Sequence, residues 1–206
     1  MKIFRYITGP IMVNTYLVYD ENGTGFIVDP GDYSRQLADK ITTDRLDIQY
    51  ILITHGHADH IGGVEAFQKM LPDVKVAACA AEHDLLSSPE HNSSPEFYGR
   101  DITVQPNLWV SEGDSLKIGS IELTFLETPG HSPGGMAIVM DGYVFSGDTL
   151  FQGSVGRTDF YGCSFPALIH SIRTKLFALP DDTVVLPGHM EKTTIRFEKE
   201  NNPFVR

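Results

Sequence analysis

The residues Thr54-His55-Gly56-His57-Ala58-Asp59-His60 place four metal-capable side chains, His55, His57, Asp59 and His60, within six positions. Ahead of them, Gln49-Tyr50-Ile51-Leu52-Ile53 is an apolar, β-rich run that reads as a buried strand ending at Thr54. Behind them, Gly62-Gly63 opens the segment Val64 to Met70, where Val64, Phe67 and Leu71 have helical spacing. The histidines therefore sit on a strand-to-helix loop. That arrangement points to an α/β chain with its chemistry gathered at strand ends.

Neutral imidazoles and carboxylates are nitrogen and oxygen donors suited to zinc, manganese and iron. One ion has no room for all four groups on so tight a loop. The spacing pairs His55 with His57 on one ion and Asp59 with His60 on a neighbour, and a binuclear site of this kind needs further ligands downstream. Three candidates stand at later strand ends. His131 lies in Thr128-Pro129-Gly130-His131-Ser132-Pro133-Gly134-Gly135, Asp148 in Ser146-Gly147-Asp148-Thr149, and His189 in Pro187-Gly188-His189. The glycines and prolines around His131 fix a sharp turn.

Length and composition bound the rest. A chain of 206 residues, 41% hydrophobic, suits one domain with a substantial core, and we assign residues 1–206 to it. The start, Met1 to Tyr6, has no continuous apolar stretch, so neither a signal peptide nor a membrane span is expected and a cytoplasmic location is. Cys79 and Cys163 have no Cys-x-x-Cys spacing, which argues against a disulfide framework and a thiolate metal site. A net charge of −11, with the 16 Lys and Arg scattered, argues against a nucleic-acid surface. Oligomeric state is left unassigned.

In chain order, residues 2–7, 14–19 and 25–28 read as short strands and Ser34 to about Thr43 as a helix. Asp29 reads either as a turn former or as an acceptor behind a metal-bound imidazole. Val74–Ala78 reads as a strand and Ala81–Leu86 as a helical turn. Residues 87–107, with Ser-Ser-Pro and Asn-Ser-Ser-Pro, read as a long exposed connection. Four strands follow, over 115–118, 121–126, 136–140 and 143–146. An amphipathic helix capped by Ser164 spans 164–179, then a strand at 183–186 and a final helix from about Thr193. His83, His91 and His170 read as surface or structural histidines. A faint echo between Thr54–Gly63 and Thr128–Gly135 suggests two β-rich halves packed face to face, with the site at their seam.

The ordered set His55-x-His57-x-Asp59-His60, His131, Asp148 and His189 resembles the full ligand signature of the metallo-β-lactamase-fold hydrolases. The resemblance implies a four-layer αβ/βα sandwich with a metal pair at one edge. It puts His55, His57 and His131 on the first metal, Asp59, His60 and His189 on the second, and Asp148 across both. The implied cofactors are two divalent ions, zinc before iron or manganese. Asp59 and Asp148 would act as catalytic ligands around a bridging hydroxide, the nucleophile toward a small-molecule acyl substrate. Two divalent ions, two carboxylates and one hydroxide leave the site at about +1.

The segment Gly153 to Asp159 and the ending Pro187-Gly188-His189 are similar to the small glyoxalase II-like hydroxyacylglutathione hydrolases, so a thioester is the expected substrate. Arg157 would either pair with Asp159 or meet a substrate carboxylate. Two departures bear on glutathione: only 17 residues follow His189, whereas the larger glyoxalase II enzymes add a helical glutathione-binding domain, and Met190 replaces a glycine common in the small ones. The competing expectation is a persulfide dioxygenase of the same superfamily, with a single iron on two histidines and an aspartate. A β-lactamase fits less well, since many such enzymes carry cysteine at the position of Asp148.

Overall fold

A computed structural model describes residues 1–205. The first half begins with an antiparallel meander, β1 (Lys2–Thr8), β2 (Val13–Tyr19) and β3 (Thr24–Val28). Helix α1 (Arg35–Asp44) carries the chain to β4 (Asp47–Leu52), and α2 (Ala58–Ile61) and α3 (Val64–Met70) carry it to β5 (Lys75–Cys79). Three short helices, α4 (His83–Ser87), α5 (Pro89–Asn92) and α6 (Ser94–Tyr98), lead to β6 (Leu108–Val110). These strands form one six-stranded sheet in sequence order, and β3 to β6 run parallel. Parallel neighbours need crossovers, and the helices supply them.

The second half contains β7 (Ser115–Ile118), β8 (Ile121–Glu127), β9 (Met136–Met140) and β10 (Tyr143–Gly147), then a small hairpin of β11 (Leu150–Phe151) and β12 (Ser154–Val155). Helix α7 (Phe165–Thr174), β13 (Val184–Pro187), β14 (Thr193–Thr194) and α8 (Ile195–Asn201) complete it. The second sheet is ordered β14-β13-β10-β9-β8-β7, with β13 parallel to β10.

Alternation along the strands builds the layers. On the first sheet, Leu17, Ile27, Ile51 and Val76 face α1 and α3, where they meet Leu37, Ile41, Val64 and Phe67. Their neighbours Val18, Phe26, Leu52 and Ala77 turn the other way and pack against Phe125, Ile138, Phe145 and Leu186 of the second sheet. The far face of that sheet, Ala137, Val144 and Val185, is covered by Leu168 and Ile172 of α7 and Ile195 of α8. Strands buried on both faces read as near-continuous apolar runs, as these do. The result is the expected αβ/βα sandwich, with the sheets face to face.

The segment 87–107 differs from the expected exposed connection. It folds into α5 and α6, buries Asn92 and Ser94, and adds Ile102 and Val104 to the core. Pro89 and Pro95 fall in the first turns of these helices, where proline costs no hydrogen bond, and the Ser88 hydroxyl caps α5 by accepting from His91 N–H at 3.3 Å. The Asn92 amide donates to the carbonyls of Leu85 (3.0 Å) and Ile102 (2.9 Å), closing the segment on itself. His91 is accordingly half-buried, its ring stacked on Tyr161 at 3.7 Å, whereas His83 and His170 are exposed as expected.

Candidate metal centre

The C-terminal ends of β3, β4 and β5 in the first sheet and of β10 and β13 in the second meet at one edge of the seam. Asp29 follows β3, the histidine loop follows β4, Glu82 follows β5, Asp148 follows β10 and His189 follows β13. His131 arrives from the loop between β8 and β9. All seven ligand candidates read from the sequence converge there. Their donor atoms form three overlapping groups within 4.8 Å: His55, His57 and His131; His55, His60 and Asp148; Asp59, His60 and His189.

The outer partners of the rings fix where their protons sit. His131 Nδ1 lies 2.8 Å from the Arg157 carbonyl, which can only accept, so Nδ1 carries the proton and Nε2 turns a lone pair inward. The Thr54 hydroxyl donates to Asp29 Oδ2 at 2.6 Å and accepts from His55 Nδ1 at 3.2 Å, which again leaves Nε2 bare. His55 Nε2 and His131 Nε2 face each other at 3.2 Å, and His57 Nδ1 lies 2.9 Å from the same His131 nitrogen. His60 Nδ1 donates to Asp29 Oδ2 at 2.9 Å, so its Nε2 points at Asp59 Oδ2 and Asp148 Oδ1, each 3.4 Å away. Lone pairs set against lone pairs and carboxylates repel unless a cation lies between them. His60 Nε2 and Asp148 Oδ1 are buried without a hydrogen-bond partner, as is His57 Nε2. The donor set, five buried or largely buried rings and two carboxylates, fits divalent cations.

The local electrostatics agree. Burial, then the neighbouring rings, pushes His55 well below the ordinary histidine value, and burial with His131 takes His57 down to about 3, so both are in the neutral form that binds metal. Burial opposes charge on His60 too, but Asp59, Asp148 and Asp29 outweigh it and hold this ring well above its ordinary value. Positive charge is therefore favoured at His60 Nε2. The two oxygens of Asp148 face both groups: Oδ1 lies near His60 Nε2, and Oδ2 is 3.6 Å from both His131 Nε2 and His189 Nε2.

Supporting residues surround the donors. Asp29 accepts from Thr54 N–H (2.8 Å), the Thr54 hydroxyl and His60, so it is both the turn former and the acceptor that the sequence left as alternatives. Asn14 donates to the carbonyls of Pro187 and Met190, each at 2.9 Å, and Tyr16 donates to Pro187 O at 2.7 Å, anchoring the loop that carries His189. Glu82 is fully buried, and burial raises its carboxyl above the usual value despite hydrogen bonds from Gly56 and Gly134. Sequence reasoning missed Asn14, Tyr16 and Glu82.

A cavity of about 300 Å³ opens over the cluster. Ile11, Phe97, Phe151 and Phe160 line its apolar wall, with Ser93 and Arg157 at its polar side and His57, Asp59, His131, Asp148 and His189 at its floor. The Arg157 guanidinium is engaged with Asp159 through two bonds, 3.0 and 2.7 Å, and lies 4.5 Å over the Phe160 ring.

The sequence profile of the Metallo-beta-lactamase superfamily matches residues 8–189. The chain belongs to this superfamily. It is similar over its whole length to a probable metallo-hydrolase, YqgX, of Bacillus subtilis (38% identical, 98% of that protein covered). It is also similar to the hydroxyacylglutathione hydrolase GloC of Haemophilus influenzae, at 34% identity over 93% of this chain and 92% of that one. Among solved structures, the BLEG-1 B3 metallo-beta-lactamase superposes with a TM-score of 0.93 at 36% identity, covering 99% of both chains. TTHA1623 in a di-iron-bound form gives 0.86 at 36% identity, covering 98% of this chain and 99% of that one. The chain is thus a metallo-hydrolase superfamily member with a His/Asp metal cluster.

Proposed function

We propose that the chain is a thioester hydrolase with two metal positions, acting on small acyl thioesters by the same kind of reaction as the hydroxyacylglutathione hydrolases. The observation that carries this reading is the seven-donor cluster, five of whose members form the floor of the 300 Å³ cavity. His55, His57 and His131 would hold one ion, and Asp59, His60 and His189 the other. Asp148 would span both, because its two oxygens face the two groups. Ions held there supply two things: a hydroxide from water at neutral pH and polarisation of an acyl carbonyl.

The chain's own residues do the rest. Asp29, the Arg157 carbonyl and Thr54 keep the ring protons on the outer nitrogens, so the inner ones remain donors. Phe97, Phe151, Phe160 and Ile11 exclude water from one wall and orient an apolar substituent. Asp59 and Asp148, buried beside His60 and His189, stay ionised: burial opposes this, and the neighbouring rings outweigh it. Similarity to GloC supports a thioester, while similarity to the B3 enzyme favours a second reading, hydrolysis of a lactam amide at the same floor.

Arg157 is the cationic side chain lining the cavity, and it is already paired with Asp159. A substrate with several carboxylates therefore finds little to neutralise it. We assign the physiological acyl thioester to those with an apolar acyl or thiol portion. Zinc comes first among the metals, with iron or manganese next.

The test is metal content by elemental analysis on protein expressed with zinc and iron available, followed by turnover of a panel of acyl thioesters and a chromogenic β-lactam. About two ions per chain and thioester cleavage support the proposal. One iron per chain with oxygen uptake on a persulfide would replace it with the dioxygenase reading, and β-lactam cleavage without thioesterase activity would replace it with the second reading.

A further inference from the structure

The histidine triad of the first metal position is split between the two halves of the molecule. His55 and His57 come from the loop after β4, and His131 comes from the loop between β8 and β9. One carboxylate touches both loops. Glu82 stands at the end of a short 3₁₀ turn after β5, with its side chain fully buried. Its Oε2 accepts the N–H of Gly56 at 2.6 Å, between His55 and His57, and its Oε1 accepts the N–H of Gly134 at 2.5 Å, three residues beyond His131.

The glycines allow this approach. A Cβ on Gly56 would stand 2.7 Å from Leu85 Cβ and 3.2 Å from Glu82 Oε2, and one on Gly134 would stand 2.7 Å from Ala81 Cβ and 2.8 Å from the Glu82 nitrogen. A neighbouring bond from Met136 N–H to Thr54 O, 2.8 Å, ties the same two loops. The second metal group is held differently: His60 rests on Asp29, and the His189 loop rests on Asn14 and Tyr16.

We propose that Glu82 is a positioning residue for the first metal position, clamping the His55–His57 loop of one half to the His131 loop of the other. The inference rests on reading the two ligand groups as separate metal positions. An ionised carboxylate can accept from both amides at once. Glutamine cannot, since its amide nitrogen would face one of the two N–H groups and leave that donor buried and unpaired.

The test is a zinc titration of the metal-free chain against a chromophoric chelator, comparing wild type with Glu82→Gln, and cobalt loading to record the visible spectrum. His57→Ala and His189→Ala mark which binding event belongs to which position. Glu82→Gln is expected to weaken the event that His57→Ala abolishes by roughly 10- to 100-fold, to alter the cobalt bands of that position, and to leave the other event within about threefold. Equal weakening of both events, or of neither, would overturn the clamp. Should Glu82→Gln not fold, Glu82→Asp keeps the charge, loses a methylene of reach and carries the same comparison with the same outcomes. Metal stoichiometry and thioester turnover of the wild-type chain test the proposed function, so its failure and that of the clamp are read from different measurements.

Discussion

Replacing Asp29 with asparagine isolates how a ring proton is held away from the metal centre. The backbone at Asp29 has φ +47°, a region that asparagine tolerates at least as well as aspartate, so the exchange leaves the turn intact. The side chain is 2% exposed and receives three hydrogen bonds, from Thr54 N–H, the Thr54 hydroxyl and His60 Nδ1. In the Asp29→Asn chain the amide oxygen can keep the first, but the NH₂ group replaces Oδ2. The Thr54 hydroxyl can rotate to accept from it. His60 Nδ1–H cannot, and is left facing another donor. The ring then gains most by moving its proton to Nε2, where it points into the second metal position. Losing one hydrogen bond to a charged acceptor costs about 1.5–3 kcal/mol, equivalent to about a 10- to 150-fold loss of zinc affinity at that position. The first position, linked only through Thr54 and His55, should weaken less. Competition titration with zinc measures both events. Asp29→Asn binding both ions within about twofold of wild type would refute the proton-placement argument.

His57→Ala and Asp148→Asn should each lower metal content and hydrolytic turnover by at least about tenfold, whereas the exposed His170→Ala should change neither; elemental analysis and kcat check this. Chelation should lower the unfolding temperature, because each ion bound at a hundredfold excess over its Kd adds about 2.7 kcal/mol, or about 5–10 °C for a chain of this length; calorimetry with and without chelator reads the difference, and an unchanged Tm would count against tight binding. Burial raises Cys79 to about 11 and also raises Cys163, which is only partly buried, so a disulfide reagent at pH 8 should titrate at most one thiol, Cys163, until the chain is denatured. Arg157→Ala removes a solvent-exposed ion pair, so stability should hold, and kcat/KM should change by one common factor for neutral and anionic acyl thioesters. A loss confined to the anionic ones would assign the guanidinium to a substrate carboxylate instead.

The convergent donors were legible because side chains suited to metal leave a dense local pattern: donors spaced two apart beside glycines, at the ends of apolar runs. The sandwich was legible because the strands are buried on both faces. Residues 87–107 were misread because Ser-Ser-Pro carries two meanings. The same residues that break a strand also begin a helix, and Asn92, whose bonds to the Leu85 and Ile102 carbonyls decide the matter, has no periodic neighbours to mark it. The hairpin of β11 and β12 has two residues per strand, too few for a period to appear. Glu82 and Asn14 escaped notice for another reason. Their partners are backbone groups 26, 52 and 173 positions away, so nothing in their surroundings along the chain distinguishes them from a helical-turn glutamate and a strand asparagine.

Distance along the chain also explains why the centre lies at the seam. Four of the donors belong to the first half and three to the second, so no single loop can close the site, and ions held there would cross-link the halves. The backbone is pressed against the donors to make this possible: a Cβ on Gly188 would lie 2.2 Å from Asp148 Oδ1 and 2.6 Å from His60 Cε1, and one on Gly147 would lie 2.5 Å from the Thr54 hydroxyl. With the main chain so close, the side chains have little freedom to move apart when the lone pairs repel. Donors held this close together can receive cations with little rearrangement. Preorganisation of this kind is what the outer residues Asp29, Thr54, Glu82 and Asn14 contribute, and it is the part of the site that ligand identity alone does not specify.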